Sequence, residues 1–245
     1  MKILVVSAHP EPKSFNTAMR DEGIATLREA GHEVVLSDLY AMDFDPVARA
    51  SDFQERSDGN YLNYALEQRR NMENGTLSPD IKDELEKVLE CDMLLLNFPV
   101  FWFSVPAIMK GWIDRVFVSG KMYGGRRFYD RGGLRGKKAL VAVTIGSRQH
   151  MFGEDAIHGP FGEMFRHLLQ GTLHYVGFDV LPPYIAWHVP YISHEERGDI
   201  LRSYRRYLQS IDQLRPIEFP SLNDFDELLR PVQPTPVAIM ETPAD

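Results

Sequence analysis

Three short segments of this 245-residue chain concentrate the side chains able to do chemistry. The first is His9-Pro10-Glu11-Pro12-Lys13-Ser14-Phe15-Asn16, which leads from an apolar run into a helix start. A helix N-terminus offers free N–H groups at the positive end of its dipole, a setting suited to phosphate. Ser14 and Asn16 add side-chain donors, while His9 and Lys13 can add charge; an ordinary capped helix explains the same residues. The second segment, Asn97–Pro106, carries Phe101, Trp102 and Phe103 in a row between Pro99 and Pro106. Three adjacent aromatics are costly in a plain surface loop. They could wall a flat aromatic ligand whose polar edge meets the turn's N–H groups, or form a core plug or subunit contact. The third runs from Thr144-Ile145-Gly146-Ser147 through Arg148 and Phe152 to His158. Gly146 lets backbone approach a ligand closely, and His158 is a candidate proton donor or acceptor because imidazole titrates near neutrality. A lone histidine is more often structural.

Each segment follows a run that reads as a buried strand: Lys2–Ala8, Asp92–Phe98 and Lys138–Thr144. Glu33–Leu39 and Phe178–Ile185, the latter broken by Pro182-Pro183, supply two more. Between them fall helical patterns. One starts at Ser14, buries Phe15, Met19, Gly23, Ile24 and Leu27, and ends at Gly31; another begins at the Ser78-Pro79-Asp80 cap. A third has Met109, Trp112, Ile113 and Val116 on one face, and the rest span about Phe161–Tyr175 and Ser193–Leu214. Tyr40–Thr76 reads as a mixed, partly helical excursion. Alternating strands and helices predict an α/β fold: a doubly wound five-stranded parallel sheet, order 2-1-3-4-5, with helices on both faces. Ligands of such sheets sit beyond the carboxyl ends of the strands, where all three segments lie. Residues 1–215 are expected to form this domain. Six of the 16 prolines then fall between Pro216 and Pro243, so residues 216–245 read as an extended arm or tail.

Composition narrows the function classes. Lys and Arg number 27 against 35 Asp and Glu, a net charge of −8, which argues against nucleic acid or an anionic membrane as partner. With 44% apolar and 25% charged residues, wholesale disorder is excluded. The single Cys91 rules out an internal disulfide and a zinc site with several thiolates, and suits a reducing cytoplasm. Ile3–Ala8 is too short for a signal peptide core. The uncharged run Met93–Met109 contains Asn97, Pro99, Ser104 and Pro106 and reads as strand, turn and helix rather than a membrane span. No Rossmann fingerprint, Walker loop or G-x-S-x-G elbow is present.

Several stretches together resemble the NAD(P)H:quinone oxidoreductases of the DT-diaphorase type. They are His9 with Ser14-Phe15-Asn16, Ser37–Met42, Leu77–Ile81, Phe98-Pro99 with Trp102-Phe103, Val105–Ile108 with Lys110-Gly111-Trp112, Arg115-Val116-Phe117, and Ile157-His158-Gly159. The likeness runs in order from Ile3 to Leu229. It implies a flavodoxin-like fold, a bound FAD rather than FMN, and a homodimer with active sites at the subunit interface. It also implies two-electron reduction of quinones by NADH or NADPH in a ping-pong cycle. By the same resemblance, His9, Ser14, Phe15 and Asn16 hold the FAD pyrophosphate and ribityl region. Pro99, Val100, Trp102 and Phe103 line the isoalloxazine, Thr144, Ile145, Gly146 and Ser147 face its pyrimidine edge, and Asn63 and Arg197 lie near the adenosine half. His158 carries the proton chemistry and Tyr123 stands at the substrate side, contributed across the dimer.

The chain departs from that pattern at specific places. Its loop reads Thr144-Ile145-Gly146-Ser147 where the family has Thr-Thr-Gly-Gly. Phe152 replaces a tyrosine paired with the histidine, and phenylalanine cannot donate a hydrogen bond. Gly125 replaces a second substrate-side tyrosine, giving a more open mouth. One branch of the family has a metal site; here His174 matches one ligand, but Gln170-Gly171 and the distant Cys91 do not complete it, and no metal is expected. The lost hydroxyl at Phe152 keeps an alternative in view: a flavin-bearing regulatory subunit of a membrane transporter or other partner.

Overall fold

Uncharged, branched sequence becomes interior strand. In the computed structural model, which describes residues 1–232, β1 (Lys2–Ser7) and β3 (Met93–Pro99) are buried almost throughout, as is β4 (Lys138–Thr144). β2 (Glu33–Asp38) is only partly buried because it lies at the edge. The sheet order is β2-β1-β3-β4-β5, every pairing parallel. The fifth position differs from the expected single strand. It is shared by β5 (Asp179–Val180) and β6 (Tyr184–Ala186), both parallel to β4, so the sheet has six strands. Pro182 and Pro183 have no N–H to give the ladder, which splits the run.

Side chains alternate across the sheet. Ile3 and Val5 pack with Met19 and Leu27 of α1 (Phe15–Glu29), and with Tyr204 and Leu208 of the C-terminal helix His194–Gln209. Leu4 and Val6 face the opposite layer. That layer contains α2 (Tyr64–Asn74), α3 (Pro79–Glu90) and α4 (Ala107–Val116), with Trp112 at its centre. The expected helix over Phe161–Tyr175 is instead α5 (Phe161–Met164), α6 (Arg166–Leu168) and a π-turn, Leu169–His174, making the C-terminal helix α7. α7 stops short of Leu214. Ser14 and Ser193 cap their helices through the hydroxyl, whereas Ser78 does not: its Oγ donates to Asp80 at 2.6 Å.

The excursion after β2 is tied down by charge. Arg115 of α4 is almost fully buried and grips both oxygens of Asp52, the Asp80 carboxylate at 2.7 Å and the Asp45 carbonyl at 2.8 Å. Tyr64 donates to the same Asp52 at 2.6 Å. Residues 216–232 lie against the domain. Ile217 N–H donates to Val180, Ser221 Oγ to Asp130, and Phe219 stacks on His174 at 4.6 Å. The rest of the Pro-rich arm lies outside the described residues. Among those described, no helix is long and apolar enough to cross a membrane.

Candidate active site at the strand ends

The sheet ladder continues into the loops and sets them side by side. Ala8 N–H donates to the Asn97 carbonyl at 3.0 Å, Val100 to Thr144 at 2.9 Å, and Ile145 to Ala186 at 3.0 Å. A buried amide chain locks the same edge: Asn97 Nδ2 donates to Asn16 Oδ1 at 2.8 Å, and Asn16 Nδ2 to Thr144 Oγ1 at 3.2 Å. Asn16 is thus occupied in joining α1 to β3 and β4. Asn97 was missed as a site residue, although an amide inside an apolar strand run is itself a signal. Ser14 is likewise engaged, accepting from Thr17 N–H at 3.1 Å. His9 Nδ1 accepts from Glu11 N–H at 3.0 Å, which assigns the ring proton to Nε2. Burial holds this imidazole below its ordinary pKa.

Phe101 and Ser104 exchange backbone hydrogen bonds of 3.0 Å, forcing Trp102 and Phe103 into a tight turn with φ of +50° and +57°. Left-handed backbone costs a non-glycine residue about 1–2 kcal/mol. The turn gains little burial in return, since Trp102 is 95% exposed, which excludes the core-plug reading for that ring. Strain without packing is characteristic of a ligand-facing element.

The loop after β4 turns its carbonyls away from the strand-end cleft. Val189 N–H donates to Ile145 and His188 N–H to Ser147, while His188 Nδ1 lies 2.9 Å from the Gly146 carbonyl. Among the described residues the N–H groups of Gly146, Ser147, Trp102 and Phe103 meet no internal acceptor. A Cβ on Gly146 would find only the Tyr191 ring edge, at 3.9 Å, so open space lies over this backbone. The half-buried His158 ring sits between Phe103 and Phe152, 5.1 Å and 5.0 Å between centroids. Phe152 leans on Trp187 at 5.0 Å. His158, Phe103 and Phe152 therefore cluster at the end of the sheet where the loops carrying Pro99, Val100 and Gly146 also lie.

α1 and α7 both start at this edge and pack in parallel. A Cβ on Gly23 would lie 3.0 Å from Tyr204 and 3.4 Å from Leu208. Two turns earlier, about seven residues, Asn16 and Arg197 stand level, and the Arg197 Nε is buried without a partner. Asn63 instead caps α2, accepting from Leu66 N–H at 3.3 Å. Tyr123 packs on Tyr175 at 5.8 Å, and burial raises its pKa. Gly125 borders a cavity of about 270 Å³ lined by Phe128, Arg126 and Arg131 with Leu222, Phe225 and Leu229 of the arm. Among the described residues no hydrogen bond or ring contact joins Tyr123 to His158 or Phe103. No group of three metal-binding side chains occurs among them either, and the His174 ring faces Phe219.

Residues 1–211 match the family described as having the flavodoxin-like fold. The chain is 40% identical over 217 residues to the ribosyldihydronicotinamide dehydrogenase (quinone) of Mus musculus, covering 88% of this chain and 94% of that one. To the NAD(P)H dehydrogenase (quinone) 1 of Cavia porcellus it is 37% identical over 226 residues, 92% of this chain and 82% of the relative. The chain belongs to the NAD(P)H:quinone oxidoreductase family. A solved structure described as a putative quinone reductase from Klebsiella pneumoniae superposes with a TM-score of 0.91 at 35% identity, covering 95% of this chain and 94% of its own. The features of this family member fit a flavin. Unspent N–H groups suit the polar edge of the ring, open space lies over Gly146, and an orphaned guanidinium nitrogen stands level with the first turn of α1.

Proposed function

We propose that the protein is a flavin-dependent NAD(P)H:quinone oxidoreductase that binds FAD at the strand ends and works as a homodimer. The observation that carries this reading is the strained, exposed Trp102-Phe103 turn set against His158 and the unspent N–H groups of Gly146 and Ser147. The bound flavin would supply hydride chemistry, taken from NAD(P)H and passed to the quinone. Everything else is the chain's task.

His9 Nε2–H and the first-turn N–H groups of α1 at Phe15 and Asn16, beside Ser14, bind the pyrophosphate. Pro99, Val100, Trp102 and Phe103 orient the ring system and keep water from one face. Backbone donors at Gly146 and Ser147, held in place by Thr144 and Ile145, meet the polar edge, where each preorganised N–H contributes on the order of 3 kcal/mol to holding negative charge. His158 holds or releases a proton at its ring nitrogen, without a tyrosine partner, and Phe152 keeps its ring in place. Arg197, and Asn63 from α2, take the adenosine half, which favours FAD over FMN. Two copies sharing each site give Tyr123 and Gly125 their substrate-side place, a reading that suits the lack, among the described residues, of a hydrogen bond or ring contact from Tyr123 to His158.

Steady-state rates with NADH, NADPH and dihydronicotinamide riboside against benzoquinone test the proposal. Parallel double-reciprocal lines are expected for at least one donor. Absence of quinone-dependent oxidation with all three, in flavin-loaded protein, would reject it. His158→Gln should slow reduction by NADPH about tenfold, and an unchanged rate would remove His158 from the mechanism.

A further inference from the structure

The segment Ser119–Arg127, which carries Tyr123 and Gly125, is outside regular structure, yet it is filled from within by α2. Gln68, fully buried, donates to the Asp114 carbonyl at 3.1 Å in the last turn of α4, where no intrahelical partner exists. Its Oε1 accepts from Ser119 N–H at 3.3 Å. The next residue, Arg69, runs beneath the segment. A Cβ on Gly120 would lie 2.6 Å from Arg69 Cγ, and one on Gly124 would lie 2.7 Å from Arg69 Nη2. Both glycines also have positive φ, +88° and +135°. Around this rod the backbone closes on itself. Gly120 N–H donates to Tyr123 at 2.7 Å, Gly124 and Arg127 pair at 3.1 and 3.0 Å, and Arg127 Nη1 donates to the Gly120 and Lys121 carbonyls.

Arg69 itself is poorly satisfied. Its Nε is buried without a partner, and its one hydrogen bond among the described residues is a long one, 3.4 Å from Nη2 to Ser119 Oγ. Its fit to the two glycines, not its polar bonding, explains its place.

We propose that Arg69 is a positioning residue: its side chain is the mould on which the acceptor-side segment folds, and it sets where Tyr123 stands. This rests on the quinone reductase reading for the substrate, while the mould itself can be tested without turnover. With Arg69→Ala the quinone KM rises about fivefold with kcat within twofold and bound flavin unchanged, and Arg69→Met, which keeps the stem, stays within about twofold of the natural protein. In thermal unfolding, Gly120→Ala lowers Tm by several degrees in the natural background and by clearly less beside Arg69→Ala, because the overlap with the Arg69 stem has been removed. Equal losses in both backgrounds would overturn the mould. Equal quinone KM in Arg69→Ala and the natural protein would overturn its effect on Tyr123. If the natural protein turned over no quinone, the function would fail and the unfolding cycle would still decide the mould.

Discussion

The loops after β1, β3 and β4 and the segment Ser119–Arg127 are both irregular, but they are held in different ways. The strand-end loops hang on backbone. Their first residues continue the sheet ladder, and one buried amide chain, Asn97 to Asn16 to Thr144, ties the edge together. The segment Ser119–Arg127 hangs on side chains, Gln68 and Arg69 of α2. Backbone-held geometry follows from sheet register and survives most side-chain changes; side-chain-held geometry can be retuned by one substitution. Under the proposed function, this division sets a fixed cofactor platform beside an adjustable acceptor wall.

Breaking the amide chain should have the largest effect. Asn16→Leu leaves Asn97 Nδ2 only the Asn16 backbone carbonyl, at 3.2 Å, and the Thr144 hydroxyl without its donor, at a cost of about 1–2 kcal/mol in urea unfolding, with reduced flavin retention. A loss below 0.5 kcal/mol, roughly the level of a surface change, would show that the ladder alone holds the edge. Trp102→Gly should act in the opposite sense on stability. It releases left-handed strain and loses little packing, so the protein gains about 1 kcal/mol while quinone turnover falls.

The smallest effect concerns the arm. Burial holds the His174 imidazole below its ordinary pKa of 6.5, with Asp130 and Asp179 opposing the shift. The unfolded chain therefore binds this proton more readily than the folded one. Stability from the His174–Phe219 stack is full above the unfolded value and falls as pH drops through it. His174→Asn should flatten the slope of stability between about pH 7 and pH 5; an unchanged slope would place the acid sensitivity elsewhere.

Much of the platform was legible in the sequence because periodicity reports burial. Lys138–Thr144 is a strand to the residue, and Met109, Trp112, Ile113 and Val116 are all buried on α4. The split of the fifth strand was foreshadowed by Pro182-Pro183, but not its division into two pairings with β4. The broken helix over Phe161–Tyr175 was not legible, because hydrophobic spacing does not distinguish an α-turn from a π-turn at Gly171. Nor did sequence reveal Arg69. It reads as one charge on a polar helix, and its meaning appears only when Gly120 and Gly124, some fifty residues on, are placed against it. Side-chain moulding across the chain leaves no local pattern.

The most direct measurement is an anaerobic absorbance titration of the flavin-loaded protein with NADPH, then with benzoquinone, the released flavin being identified by chromatography. The account predicts that the oxidised flavin spectrum bleaches with NADPH and returns in full with the quinone, and that the flavin is FAD. A spectrum that stays oxidised with both NADPH and NADH, or protein that takes up no flavin on reconstitution, would contradict it.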